Sequence, residues 1–143
     1  MNWLLLVYKV PSEPSARRVY VWRKLKRLGA ILLHDSVWAL PATSRTRENL
    51  QWLAVEINEM TGEAFLWESS LTLYGQDTAL QQQFRTQTDA EYQSILMALT
   101  QPECDVEALA RRYQQATTQD YFQSALGEEV HTALMNGRGG NNS

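Results

Sequence analysis

The sequence predicts an α+β fold, a βαββαβ unit over about residues 3–68 followed by a helical section. Short apolar runs alternate with segments of helical periodicity in the order strand, helix, strand, strand, helix, strand. Beyond residue 77 no segment has a convincing strand pattern, and apolar residues recur at helical spacing. A chain of 143 residues, 44% hydrophobic and 20% charged, is long enough to form a core.

The first strand and helix are predicted close to the N-terminus. The apolar run Trp3–Tyr8 is typical of a buried central strand rather than a signal peptide, because no basic segment precedes it. Pro14 lies in a loop, Ser15 is placed to cap a helix over about 16–28, and Gly29 follows as a helix-ending glycine. The core-facing stripe of this helix is predicted at Val21, Leu25 and Leu28.

A hairpin, a second helix and a fourth strand complete the unit. Residues 30–33 and 37–40 are apolar runs separated by a turn. A helix capped by Thr43 or Ser44 extends to about residue 60, and residues 64–67 form the last strand. This order is that of the ferredoxin-like sandwich. Its two helices cover one sheet face, so we expect a dimer partner or the rest of the chain to cover the other.

The rest of the chain is predicted to be helical. Apolar spacing indicates one helix over 80–99, a second near 106–113 and a third over 121–134 that Gly127 interrupts or ends. We therefore expect a ferredoxin-like domain over 1–70, a helical extension over 71–136 packing on it, and a disordered tail over 137–143.

Catalytic, metal and membrane functions are disfavoured by the residues present. No apolar run is long enough for a transmembrane helix, and no phosphate-loop, dinucleotide or zinc-protease motif occurs. The single Cys104 excludes an intramolecular disulfide and a cysteine-based zinc site. Cys104 with His131, or His34 with Asp35, are weak catalytic pairs better explained by a helix start and a turn. We expect a cytoplasmic, non-enzymatic protein without metal or cofactor.

Charge is distributed unevenly along the chain. Residues 1–50 contain nine basic and three acidic residues, a net charge of +6, whereas residues 51–143 have a net charge of −9. Six of the basic residues lie within eleven positions of the first helix: Arg17, Arg18, Arg23, Lys24, Lys26 and Arg27. This pattern predicts an anionic partner, or charge complementarity between halves or protomers.

The position of Arg17 and Arg18 in the first turn strengthens that expectation. The helix dipole disfavours cations there, and an anion held at the helix N-terminus would relieve the conflict. Three partners remain open: nucleic-acid phosphates, an acidic protein surface, and a small oxyanion clamped by Arg17 and Arg18. The helix also contains Tyr20 and Trp22, which either stack on bases or pack against the fold.

A second basic point precedes the second helix. Arg45 and Arg47 follow the third strand, and we expect the loops after the first and third strands to lie at the same end of the sheet. The two arginine pairs would then form one patch.

The sequence resembles a known family along most of its length. Three segments are similar to the N-terminal domain of the chromate-resistance regulator family ChrB: WLLLVYKVPSEPSARRVYVWRKLKRLGA, then LLHDSVWALPAT and WLAxEI. The likeness is dense over residues 3–68 and looser through FR, DAEY, RRY and DYF in the helical section. The RKLKRLGA stretch is also similar to the ferredoxin-like module of PaaX-type repressors.

The resemblance implies a bacterial regulator that binds promoter DNA and is relieved by chromate. It implies DNA contacts from the basic residues of the first helix, to which we add Arg45 and Arg47. Full-length members carry a second, C-terminal domain; we expect this chain to lack it and to work with a separately encoded domain of that type. We also expect a homodimer. The alternatives are a chromate or sulfate binding module and a non-catalytic interaction module.

Overall fold

The computed structural model describes residues 1–140 and divides into two compact units, Met1–Thr78 and the residues from Ala79 onward. The first unit contains a four-stranded antiparallel sheet in the order β2-β3-β1-β4. Its elements are β1 (Trp3–Lys9), α1 (Ser15–Leu28), β2 (Ile31–His34), β3 (Val37–Pro41), α2 (Ser44–Glu59) and β4 (Glu63–Ser69). The predicted α+β class and ferredoxin-like order are confirmed.

Most of the core of this unit lies on one face of the sheet, while Trp3 and Ala39 are buried on the other. Leu6 of β1 is opposite Trp38 of β3 and Leu66 of β4, so these side chains share a face. The buried helix positions are Val21 and Leu25 of α1 and Leu50, Leu53 and Ile57 of α2. Arg47 of α2 bonds Glu68 of β4, which shares the face of Leu6. Both helices therefore cover this face, while Phe65 and Trp67 of β4 project from the other.

The helix ends follow local capping chemistry. Thr43 caps α2 in a reciprocal capping box with Thr46, one of the two predicted caps. Gly29 adopts a left-handed conformation with φ 81° and donates to the carbonyls of Leu25 and Lys26, as expected. The predicted cap at Ser15 is wrong: Ser15 is the first helical residue, and Pro14 at the N-cap makes no side-chain hydrogen bond.

The second unit is helical. It is formed by α3 (Gln76–Leu99, which begins in the first unit), α4 (Val106–Thr118) and α5 (Ala125–Gly140). Its core is built from Tyr92, Ile95, Leu109, Ala116, Val130 and Leu134. Tyr121 and Phe122 precede α5 rather than lying in it, and both rings pack near Phe84.

Gly127 does not interrupt the last helix. It lies inside α5, and a Cβ at this position would be 3.3 Å from the Tyr92 hydroxyl. The glycine is therefore explained by close packing against α3 rather than by a helix end. The predicted disordered tail began at residue 137, whereas α5 includes residues 137–140; residues 141–143 of that prediction lie outside the described residues. Packing of the helical section on the sheet domain stays a prediction.

A candidate nucleic-acid interface on the first helix

Helix α1 buries two apolar residues and exposes most of its basic ones. Val21 and Leu25 are fully buried. At 100° per residue, Arg23 and Arg27 fall on the opposite side of the helix, with Lys24 and Lys26 on its flanks. All four of these side chains are exposed. The solvent side of α1 therefore presents four cations, and the exposed Arg18 lies in the first turn nearer the apolar side. Together these five residues are called the basic strip: Arg18, Arg23, Lys24, Lys26 and Arg27.

Arg17 is used within the fold. Its Nη1 donates to the Met60 carbonyl oxygen at 2.9 Å and to Thr61 Oγ1 at 3.1 Å, and the side chain is half-buried. Met60 is the C-cap of α2, whose last turn contains no basic residue of its own. Because a cation is favourable at a helix C-terminus, Arg17 supplies from α1 the charge that α2 lacks. This contact explains a cation in the first turn of α1 without an external anion.

Arg18 lies one residue later and points elsewhere. It lines an open cleft of about 420 Å³ between α1 and the β2–β3 hairpin. Other residues lining the cleft include Tyr8, Trp22, Asp35 and Trp38. Burial raises the pKa of Tyr8, while the nearby Arg18 charge acts in the opposite direction. The cleft is lined by residues distant in sequence, so no local sequence pattern predicts it.

The structure does not bring the two arginine pairs together, and that prediction is wrong. β1 and β3 are antiparallel, with Trp3 opposite Pro41. The loop leading to α1 leaves the end of β1, whereas the loop leading to α2 lies beside its start. Arg45 and Arg47 therefore lie at the opposite end of the sheet from Arg17 and Arg18.

Arg47 and Arg45 also differ from each other. Arg47 forms an ion pair with Glu68, which also accepts from Asn2 at 3.2 Å. The Arg47 hydrogen bond holds the pKa of Glu68 below its usual range. Arg45 is exposed, at the end of the sheet where α1 finishes. Of this pair, Arg45 is the one available to extend the basic strip.

The two aromatic residues of α1 have different surroundings. The Tyr20 hydroxyl donates to Glu56 of α2, and this hydrogen bond raises the pKa of Tyr20. The Lys24 ammonium lies 5.6 Å from the centre of the Tyr20 ring, and Lys26 lies 5.9 Å from that of Trp22. Trp22 is 49% exposed and is the ring that offers a stacking surface.

Much of the charge asymmetry lies within the first unit. Residues 1–78 contain nine basic and eight acidic side chains, so this unit is almost neutral. Most of the basic residues lie on α1, whereas α2 and β4 contain five acids: Glu48, Glu56, Glu59, Glu63 and Glu68. The basic strip is thus a local feature of one helix.

The weak catalytic pairs gain no support from the geometry. His34 Nε2 lies 3.2 Å from Asp35 Oδ2 in the hairpin turn, and both side chains are exposed. Cys104 Sγ lies 3.8 Å from the Leu99 carbonyl oxygen, and the His131 ring packs beside Tyr113. Among residues 1–140, no group of three or more His, Cys, Asp or Glu side chains is placed to hold a metal. In the same part of the chain, no helix has the length and apolar character needed to cross a membrane.

Comparison with known proteins gives one consistent result. A family model described as "Protein ChrB, N-terminal" matches residues 18–111, a range that contains most of α1. Protein ChrB of Cupriavidus metallidurans is 31% identical to the chain over 100 residues. That match covers 68% of this chain and 30% of the relative, so the chain spans less than a third of the matched protein. No solved structure matches the chain.

Proposed function

Because the chain belongs to the family of ChrB N-terminal domains, we propose that it is a DNA-binding regulator, or a regulator subunit, linked to chromate resistance. In this role it acts in the cytoplasm without catalysis. Its basic strip contacts the phosphate backbone of promoter DNA.

The observation that supports this proposal most strongly is the basic strip itself. Five cations lie on one helix, and all five are exposed. No acid lies within α1 to neutralise them. Lys and Arg along one helix match the repeating charge of a nucleic-acid backbone, and each phosphate contact releases counterions.

The proposed contact set is smaller than the predicted one. Arg17 is held by the C-terminus of α2 and Arg47 by Glu68. We therefore assign phosphate contacts to the basic strip and add Arg45 at the end where α1 finishes. Trp22 supplies an exposed ring beside the strip, and its stacking on an unpaired base would add to backbone contacts.

Fluorescence-anisotropy titration of the chain with its own upstream duplex tests the proposal. A scrambled duplex of the same composition is the comparison, and each titration is repeated over several salt concentrations. We expect tighter binding to the upstream duplex and a steep fall of affinity with salt, roughly 0.9 in log–log slope for each phosphate neutralised. No binding to either duplex at low salt would overturn the proposal.

A charge-matched pair of variants locates the contact. The triple change Arg23→Gln, Lys26→Gln and Arg27→Gln removes three cations from the basic strip and should make the salt slope shallower by about 2.7 for each copy of the chain that contacts the duplex. The control, Lys9→Gln with Arg85→Gln and Arg111→Gln, removes the same number and types of cation outside α1. Equal slopes for the two variants would contradict the assignment to α1.

Two alternatives can be read from the same titrations. The oxyanion hypothesis needs both Arg17 and Arg18 as a clamp, but Arg17 is hydrogen-bonded to Met60 and Thr61. Only Arg18, beside the cleft, is then available to hold an oxyanion. Displacement of DNA by added chromate would place sensing in this chain. A protein-interaction role, with a separately encoded ChrB C-terminal-type domain as partner, is favoured if the chain binds that domain but neither DNA nor chromate.

A further inference from the structure

The two edges of the sheet differ in how well they are protected. β2, at one edge, has four residues and an irregular register between Leu32 and His34. β4, at the other, has seven residues that pair with β1 in unbroken register. Among the described residues no strand lies beyond β4. A long, regular edge presents a row of backbone donors and acceptors to another strand, whereas short or bulged edges resist such pairing.

The side chains of β4 are unusual for an exposed edge. Phe65 and Trp67 point to the same face of the sheet and are 53% and 58% exposed. Exposed edges are ordinarily protected by charged residues, above all lysine, or by proline. β4 contains no lysine or proline, and its two charged residues, Glu63 and Glu68, lie near its ends. Its two large aromatic side chains therefore favour a partner that supplies both a strand and an apolar surface.

We propose that β4 pairs antiparallel with β4 of a second copy of this chain, about a twofold axis through Leu66. In this register Phe65 lies opposite Trp67 of the second copy, and Trp67 lies opposite its Phe65. Two aromatic cross-strand pairs then form on one face, the kind of pair that stabilises antiparallel sheets. Glu63 and Glu68 lie opposite Ser69 and Ala64, so no two acids are opposed.

Neighbouring registers are less complementary. Side chains keep their faces only if the register shifts by two residues. An axis through Phe65 places Glu63 opposite Trp67, and an axis through Trp67 places Phe65 opposite Ser69. In each alternative one aromatic residue lies opposite the same residue of the second copy, and the other aromatic residue lies opposite a polar or charged one. The sequence of β4 thus favours Leu66 as the centre.

The axis has a consequence for the basic strip. Pairing through β4 joins the two four-stranded sheets into one sheet of eight strands. Because opposed residues of the two copies lie on the same face of this sheet, the twofold axis is perpendicular to it. Both copies of α1 and α2 then lie on one side of that sheet, where two basic strips face the same direction. The proposed dimer does not depend on DNA binding, since its interface lies on β4 rather than on α1.

Compensated charge substitutions test the dimer and its register together. Phe65→Lys with Trp67→Lys places lysines opposite each other in both pairs, and we expect a monomer by sedimentation velocity. Phe65→Lys with Trp67→Glu places opposite charges in both pairs and should restore the dimer. Both positions are more than half exposed, and circular dichroism confirms that each variant folds.

A matched control uses the outward face of α2. Trp52 and Val55 are 64% and 46% exposed, so Trp52→Lys with Val55→Lys adds the same charge to an exposed apolar pair elsewhere. We expect this variant to remain a dimer. A monomeric wild-type chain, or loss of the dimer in the α2 control alone, would overturn the proposal. Neither result decides whether the chain binds DNA, which the titrations measure separately.

Disulfide trapping measures the register directly. In a Cys104→Ser background, Phe65→Cys and Trp67→Cys proteins are mixed and oxidised. Opposed residues have Cα atoms about 4.5–5.5 Å apart, within the range for a disulfide, whereas diagonal neighbours lie about 7–8 Å apart. We expect the mixed 65–67 dimer to form at least tenfold faster than either symmetric dimer. Faster trapping by Phe65→Cys or Trp67→Cys alone would contradict the register.

Discussion

At the scale of the residue, neighbouring arginines have different roles because a helix turns by about 100° per position. Arg17 points towards the end of α2 and bonds its last carbonyl, whereas Arg18 lines the cleft beside the hairpin. A charge count treats the two as one feature. Their separate directions show that only part of a basic cluster is available to a ligand.

The difference between Arg17 and Arg18 leads to a stability prediction. Arg17→Ala should lower the free energy of unfolding by about 1–2 kcal/mol, because the Met60 carbonyl loses a charged hydrogen-bond donor. Arg18→Ala, at an exposed position, should change it by less than about 0.5 kcal/mol. Urea unfolding of both variants measures the contrast. Equal destabilisation would show that Arg17 does not stabilise the end of α2.

Tyr92 provides a prediction for alkaline pH. It is buried, its hydroxyl donates to Asp120 at 2.9 Å, and burial raises its pKa well above the ordinary value. The folded state then keeps a proton that the unfolded state loses near pH 10, so stability falls as the pH rises above 10. Tyr92→Phe should be less stable at neutral pH by about 1 kcal/mol but lose less stability above pH 10. Thermal unfolding from pH 7 to 11 checks whether the two curves converge; parallel curves would contradict the assignment.

At the scale of the element, α2 illustrates how much one side chain can determine. Thr46 is fully buried, closes the capping box with Thr43, and donates to the Pro41 carbonyl oxygen at 2.6 Å. It therefore links the end of β3 to the start of α2.

Replacing Thr46 tests that link. Thr46→Val keeps the shape but removes the hydroxyl, and it should cost about 2 kcal/mol because the Thr43 N–H loses its acceptor in the capping box and the Pro41 carbonyl loses its donor. Thr46→Ser keeps the hydroxyl and should cost about 1 kcal/mol or less. Chemical denaturation of both variants gives the comparison. A serine variant as unstable as the valine variant would assign the effect to packing instead.

Sequence patterns identified every strand and helix of the first unit, because each is marked by local periodicity and by caps such as Thr43 and Gly29. They failed where the outcome depends on tertiary packing. Gly127 looked like a helix end, since the ring of Tyr92 against it cannot be seen in a pattern. Arg45 was misplaced because strand direction, which follows from the pairing of β1 with β3, decides which loops meet. The contact of Arg17 with Met60 is likewise a meeting of distant segments.

At the scale of the whole molecule, the pairing of the β4 edge would determine how many basic strips contact one DNA duplex. The first unit is almost neutral overall, yet its cations are concentrated on α1. A single basic helix contacts fewer phosphates than two such helices, so its binding alone depends less steeply on salt. Pairing through β4 would place two such helices on the same side of one sheet, and each binding event would then release the counterions of both.

This combination predicts a result opposite to the simple effect of charge. Phe65→Lys with Trp67→Lys adds two cations to each chain, which by itself should strengthen and steepen DNA binding. If the change also separates the dimer, each complex contains one basic strip, and the salt slope should fall to about half that of the wild-type protein. Anisotropy titration of this variant beside Phe65→Lys with Trp67→Glu, at matched protein concentrations, gives the measurement. An equal or steeper slope for the double-lysine variant would show that DNA is bound by one copy at a time.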